Sequence, residues 1–223
     1  MAMGYAKSIK NILFPEEHIC SFCRENMAKP LSYICPSCME LVEVLNREVN
    51  LNLPHVEKVY YSVLYNRFIR EKVHAFKFQG KTYLYKPFGE ILIDTIEANG
   101  LKSKIEAIIF VPIHRRKKAL RGYNQSELLA FYVAKALNMP LLKGHLIKTK
   151  WTFEQNKLGK IERKINLKDS FKAVNIEDFK GKEILLIDDI ITTGATMEEC
   201  AKVLVENGAK KVYGLALTSS IKL

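Results

Sequence analysis

Residues 184–196, ILLIDDIITTGAT, constrain the fold more than any other stretch of the chain. Four consecutive aliphatic residues demand burial on both faces of a strand, a demand met inside a parallel sheet covered by helices on each side. The run then ends in two carboxylates, Asp188 and Asp189, and passes through Thr192, Thr193, Gly194, Ala195 and Thr196 into the helical pattern of residues 196–208, TMEECAKVLVENG. An ordinary strand leading to a capped helix has no need of two adjacent acids at that point. Open parallel sheets bind ligands at the carboxyl ends of their strands, and a helix N-terminus offers unpaired N–H groups and a positive dipole end to a phosphate. The threonine hydroxyls add donors, and Gly194 lets the backbone curl closely around the anion. The two acids would repel a phosphate. They suit the vicinal hydroxyls of a sugar beside it, or a magnesium shell.

The remaining pattern agrees with an α/β fold. Apolar runs predict strands at 58–64, 107–113, 141–148, 183–188 and 210–217, alternating with helices near 67–78, 84–98, 125–137 and 196–208. Residues 149–170 predict a long, polar, basic loop, and residues 36–49 carry helical apolar spacing before a polar junction at 50–55 that contains Pro54. A P-loop ATPase and a dinucleotide-binding site are both unsupported, because the chain has no GxxxxGK[ST] and no GxGxxG after a strand. It also lacks an apolar run near the roughly 18 residues needed to span a bilayer. The apolar cluster Ile12–Leu13–Phe14 is short and meets Pro15, Glu16 and Glu17 rather than a small-residue cleavage site, so the expected location is the cytoplasm.

Four of the five cysteines fall in the first forty residues, as Cys20-Ser-Phe-Cys23 and Cys35-Pro-Ser-Cys38 with eleven residues between the pairs. That spacing suits tetrahedral thiolate coordination of zinc, each pair closing a tight turn that offers two sulfurs to one metal. A redox dithiol or unrelated buried cysteines are the alternatives, and a cytoplasmic setting disfavours disulfides. Four thiolates fill the shell, so the metal is expected to be structural, with His18 a bystander and Cys200 a core residue. The expected division is therefore a zinc module over 1–50 and an α/β domain over 55–223, with 55–100 as a candidate hood.

Lysine and arginine outnumber aspartate and glutamate by 35 to 24, a formal charge of +11 that favours an anionic partner. The excess is local. Residues 114–123 carry Arg115, Arg116, Lys117, Lys118 and Arg121 without an acid, and residues 148–172 carry eight basic side chains against three acids. Solvated loops would explain both equally well on charge alone.

The strand-end segment ILLIDDIITTGAT is similar to the 5-phosphoribosyl-1-pyrophosphate (PRPP) signature of type I phosphoribosyltransferases. More narrowly, the whole chain resembles the ComF family, phosphoribosyltransferase-like proteins associated with natural competence and DNA uptake. The resemblance is carried by Phe14 and Pro15, the two CxxC pairs, HAFKFQG at 74–80, VPIHRRKKALRGYNQSELLA at 111–130, Gln155, Leu158, Arg163, Asn166 and the signature loop.

The resemblance implies a type I phosphoribosyltransferase-like sheet with an appended zinc module. Asp188 and Asp189 would face the ribose hydroxyls, and Thr192, Thr193, Gly194, Ala195 and Thr196 would cradle the 5-phosphate. The segment after strand 107–113 would lie on the pyrophosphate side, and 149–170 would be the flexible loop that closes over PRPP and magnesium. Arg115, Arg116 and Arg163 are the leading pyrophosphate contacts because guanidinium pairs with phosphate oxygens, with Lys117 and Lys157 behind them. In an enzyme, the catalytic set would be Asp188, Asp189, Arg163 and Lys157. Tyr60, Tyr61, Phe76 and Phe78 either line an acceptor pocket or fill the core.

A second reading is a non-catalytic PRPP-fold module. Its basic loops, interleaved with Tyr123, Trp151, Phe153 and Phe171, would bind single-stranded DNA. The zinc module would dock an uptake helicase or other competence proteins. A purine-type transcriptional regulator is weaker, since no helix-turn-helix is apparent. The sequence does not separate enzyme from module. In either case Asp189 is expected to face solvent and ligand.

Overall fold

The aliphatic runs pair into one sheet in the computed structural model, which describes residues 19–27, 32–151 and 167–221. The strands are β1 (Val44–Glu48), β2 (Lys58–Leu64), β3 (Ala107–Phe110), β4 (Leu146–Lys148), β5 (Phe171–Ala173), β6 (Glu183–Ile191) and β7 (Lys211–Ser219). The main sheet runs β1-β2-β7-β6-β3, parallel throughout except for β1, which pairs antiparallel with β2 at the edge. Strands β4 and β5 form a separate antiparallel ribbon. The helices are α1 (Pro36–Met39), α2 (Arg67–Phe78), α3 (Tyr85–Ala98), α4 (Arg115–Arg121), α5 (Gln125–Leu137) and α6 (Ala195–Glu206).

Alternation along the strands explains how both faces are covered. Val59, Tyr61, Ile109, Ile184, Leu186, Val212 and Ala216 share one core with Met197, Cys200, Ala201 and Leu204 of α6. The intervening residues Tyr60, Leu185, Ile187, Leu215 and Leu217 are equally buried and point to the other face, since successive strand residues alternate. There α3 packs on β2 and β7, and α5 on β3 and β6. Asn66 caps α2 by accepting from the Ile69 N–H at 2.9 Å, and Asn124 caps α5 by accepting from the Ser126 N–H at 3.2 Å.

Two predicted elements differ. The helix expected over 36–49 stops at Met39, and β1 follows. Its β-branched Val44 suits a strand, and β2 supplies an edge whose backbone groups need partners. Asn46, at φ 45°, makes the irregularity in that pairing, and its side chain accepts from Thr95 Oγ1 at 2.7 Å. The strand expected over 141–148 is interrupted at Gly144, whose φ of +80° an extended strand does not allow, so Leu141 makes a single parallel bridge to Ile108 of β3 and Leu146–Lys148 forms a separate strand. Basic residues 115–121, whose charge alone would also fit a solvated loop, form α4, a helix with no buried residue.

The chain divides into two units, Met1–Val42 and Glu43–Leu223. Strand β1 lies in the larger one. In the smaller, Cys20–Cys23 lies on a turn closed by Arg24 N–H donating to Cys20 O at 2.9 Å, and Cys35 is the N-cap of α1, with Cys38 inside it.

Candidate functional site

Where β3 and β6 end, a cleft of about 1240 Å³ is lined by one side of α2, one side of α4, the head of α5 and the N-terminus of α6. This is the carboxyl edge of a parallel sheet, the place where such folds bind ligands. Asp188, Asp189, Thr192, Gly194, Ala195 and Thr196 all line it. Thr193 is not among the lining residues, and its hydroxyl accepts from the Ala195 N–H at 3.4 Å. Gly194 has φ +78°, and a Cβ there would meet the Leu53 methyl carbons at 3.0 Å. Conformation and space both demand glycine at the mouth of the helix.

The two carboxylates belong to β6 itself and diverge, as adjacent strand residues must. Asp188 is half-buried, and its Oδ1 accepts from Ser126 Oγ at 3.0 Å and from the Asp189 N–H at 2.8 Å. Burial, reinforced by the neighbouring Asp189 carboxylate, pushes Asp188 up to about 7, against the opposing pull of Lys77 and these hydrogen bonds. Asp189 does not face solvent as expected. It is only 7% exposed, and Oδ2 forms an ion pair with Lys77 Nζ at 2.8 Å.

Four further residues lining this cleft were absent from the sequence-based list. Lys77 lies in the last turn of α2, Ser126 in the first turn of α5, Lys148 ends β4, and Arg121 closes α4. Burial, with Lys117 adding to it, pulls Lys148 down to about 8, although Cys200 and Asp188 act in the other direction. The signal that could have found Lys77 was its place in HAFKFQG, one of the segments that carry the family resemblance. Lys148 closes an apolar strand, a weaker signal.

Helix α4 turns Lys117, Leu120 and Arg121 toward the cleft, with His114 at its N-cap. Arg115 and Arg116 are exposed and do not line it. Lys157 and Arg163 lie outside the described residues, as do Phe153, Gln155, Leu158, Asn166 and His18. The ends of that basic segment are described: the Thr149 N–H donates to Ser170 O at 2.9 Å, next to the β4–β5 ribbon.

Of the aromatic residues, Tyr60, Tyr61, Phe76 and Phe171 are buried in the core, and the Tyr123 hydroxyl donates to Phe76 O. Phe78 and Trp151 are more than half exposed and line the cleft, with Trp151 edge-on to His114 at 5.4 Å.

A directly bound magnesium would find each carboxylate of the pair already engaged through one of its oxygens. That ion demands six oxygens near 2.1 Å in octahedral array. Here an ammonium already holds Asp189 Oδ2, and two hydrogen bonds hold Asp188 Oδ1.

The cysteines do fit a metal. The four sulfurs of Cys20, Cys23, Cys35 and Cys38 lie within 4.8 Å of one another, and Cys23 and Cys35 are 3.8 Å apart. Sulfurs about 2.3 Å from a tetrahedral zinc would be separated by roughly that distance. Burial alone would push the Cys20 thiol up, but N–H groups of Cys23, Cys35 and Phe22 outweigh it and draw the group down to about 6. Burial and the neighbouring thiols push Cys38 up. Crowded sulfurs that keep their protons this unevenly are what a cation would level, and the set could hold zinc.

Among the described residues no helix is long and apolar enough to cross a membrane. Residues 146–218 match the family model described as Phosphoribosyl transferase domain. With an acid pair on β6 and a threonine–glycine turn at the following helix, the fold is that of a type I phosphoribosyltransferase-like protein.

The relatives narrow this. The chain is 34% identical over 151 residues to "Competence protein F" of Haemophilus influenzae, covering 65% of this chain and 66% of that one. It is 29% identical over 208 residues to "Competence protein ComFC" of Bacillus subtilis, 88% of this chain and 82% of that one. To "DNA utilization protein YhgH" of Escherichia coli K12 it is 29% identical over 144 residues, 63% and 62% of the two chains. The chain belongs to the ComF family. The matches span just under two thirds of the Haemophilus and Escherichia proteins and more of the Bacillus one. Among solved structures, orotate phosphoribosyltransferase from Aeropyrum pernix superposes on 79% of this chain with 18% identity and a TM-score of 0.38, too loosely to argue from.

Proposed function

We propose that the chain binds PRPP in the cleft at the end of β6 and acts in DNA uptake, with phosphoribosyl transfer as the chemistry the cleft suits. One observation carries this reading: Thr192, Gly194, Ala195 and Thr196, at the N-terminus of a twelve-residue helix, line the same cleft as Asp188 and Asp189. The helix end would take the 5-phosphate, and the carboxylates would accept from the ribose hydroxyls. Lys117, Lys148 and Arg121 give the cleft the positive charge that a departing pyrophosphate needs, so catalysis would be positioning and electrostatics. Arg163 and Lys157 would join from the basic segment, and Arg115 and Arg116 would add an outer field. Magnesium would come with the pyrophosphate of the ligand, and no step here is routed through it.

In this reading Cys20, Cys23, Cys35 and Cys38 hold a structural zinc, forming a module within residues 1–50 that serves as a docking unit for an uptake helicase or another competence protein in the cytoplasm. Residues 55–223 form the PRPP-binding domain, and 55–100 contribute the hood. The names of the relatives, two competence proteins and a DNA utilization protein, favour this setting.

The non-catalytic module is favoured by a different observation. Helix α4 carries five basic residues and buries none of them, beside the exposed Trp151. Single-stranded DNA needs such charges together with a stacking surface.

The test is calorimetric titration with PRPP and magnesium, followed by an assay for pyrophosphate release with a panel of bases. Heat and turnover support the enzyme. Heat without turnover, with DNA affinity that falls steeply with salt, supports the module. No heat with folded, zinc-loaded protein overturns both.

A further inference from the structure

The strongest unassigned feature of the cleft is the cation already seated on the acidic pair. Lys77 Nζ lies 2.8 Å from Asp189 Oδ2, and its side chain is 20% exposed. A lysine reaching a carboxylate by chance is usually a surface residue on a mobile stem. Lys77 is not, because its backbone is anchored on the preceding residue. Phe76 is fully buried, and its carbonyl accepts from Gln125 Nε2 at 3.2 Å and from the Tyr123 hydroxyl. Gln125 is itself 1% exposed. The last turn of α2 is thus stitched to the head of α5, and α5 also supplies Ser126 to Asp188. One rigid junction therefore sets a hydroxyl on one carboxylate and an ammonium on the other.

A divalent metal at such a pair would supply positive charge beside the sugar hydroxyls. An ammonium at this distance supplies positive charge from the protein, and a metal ion placed next to it would meet like-charge repulsion in a partly buried site. The hydroxyls of a sugar need only acceptor oxygens, which a carboxylate held by one lysine still offers. We propose that Lys77 is the resident counter-cation of the Asp188–Asp189 pair, so that the sugar-phosphate half of the cleft binds ribose 5-phosphate without a divalent metal. This rests on the PRPP reading of the cleft. It assigns any magnesium to the pyrophosphate half, where the ligand rather than the protein carries the chelating oxygens.

Ribose 5-phosphate, which lacks a pyrophosphate, isolates the claim. The full chain is titrated in buffer freed of divalent ions before the protein is added, leaving the cysteine site untouched, and again with magnesium in excess. The expected dissociation constants agree within about threefold. In Lys77→Met the metal-free affinity should fall by about tenfold or more, equivalent to roughly 1.4 kcal/mol, while Lys77→Arg should bind like the parent. Parent affinity that collapses without magnesium overturns the proposal, as does metal-free binding by Lys77→Met equal to the parent. Should Lys77→Met fail to fold, the parent and Lys77→Arg titrations still decide. Absence of binding for both ribose 5-phosphate and PRPP under either condition overturns the PRPP reading itself, and the proposal with it. Binding that appears only with magnesium overturns the proposal alone.

Discussion

The end of β6 and helix α4 are the two most conspicuous stretches of the sequence, and the fold treats them oppositely. Residues 188–196 are built into the sheet and the helix behind it: Asp189 is buried, and Gly194 is packed under Leu53 and Leu51. Helix α4 buries nothing, and Leu120 is 84% exposed. A charge held by the sheet acts through contacts at fixed distance. A charge on an exposed helix acts through a field that salt screens. Changes at β6 should therefore alter stability and short-range binding together, whereas changes on the outward side of α4, at Arg115 and Arg116, should touch only long-range attraction.

The largest expected effect follows from the buried pair. Asp189→Ala leaves the Lys77 ammonium without its carboxylate in a mostly enclosed site, which costs about 3–5 kcal/mol. Urea unfolding should show this as a lower midpoint with unchanged slope, and Arg116→Ala should show no shift. An unchanged midpoint for Asp189→Ala would remove the distinction between the two regions. Next comes Gly194→Ala, which puts a side chain at positive φ with its Cβ 3.0 Å from Leu53. About 1–3 kcal/mol of strain is expected, read as a lower melting temperature, together with weaker PRPP binding.

The contrast also explains what could be read from the sequence. Strand 58–64 and helix 125–137 are visible to the residue, because burial on a regular element imposes its period on the side chains. Asp188 and Asp189 are visible because strand, acids, turn and helix are contiguous. Lys77 and Lys148 line the same cleft but precede Asp188 by 111 and 40 positions, so the fold rather than a contiguous motif joins them to the acid pair, and their local signals are weak. Arg115 and Arg116 show the converse case, exposed on the side of α4 away from the cleft lining. Residue type singles them out, but α4 has a helical repeat, and the face carrying His114, Lys117 and Arg121 is the one that meets the cleft. The helix at 36–49 failed for a related reason: the β2 edge, distant in sequence, recruits residues 44–48 as a strand.

A smaller effect sharpens the comparison by pH. Lys148 is held down to about 8, so its positive charge is lost as pH rises through that value, well before an ordinary lysine discharges. An anionic ligand should lose up to about tenfold in affinity across that range, near 1.4 kcal/mol. Asp188, held up to about 7, gains its charge as pH rises through that value and becomes a pure acceptor for sugar hydroxyls. Affinity for PRPP should therefore peak between these two values. In Lys148→Met the fall on the alkaline side should vanish, whereas a persistent fall would move the titrating group elsewhere.

The smallest effect belongs to the exposed helix. Arg115→Ala with Arg116→Ala should change stability by less than about 1 kcal/mol, since solvent-exposed charges contribute little. If α4 attracts a nucleic acid, the double variant should weaken single-stranded DNA binding at low salt. It should also reduce the slope of log affinity against log salt by about 0.7 for each lost phosphate contact. Lys117→Ala, from the cleft-facing side of the same helix, should weaken PRPP binding instead. Two variants a turn or less apart would then separate two ligands, one read by the field of the helix and the other by contact with its inner face. Equal salt slopes for the parent and the double variant would show that α4 serves the cleft alone.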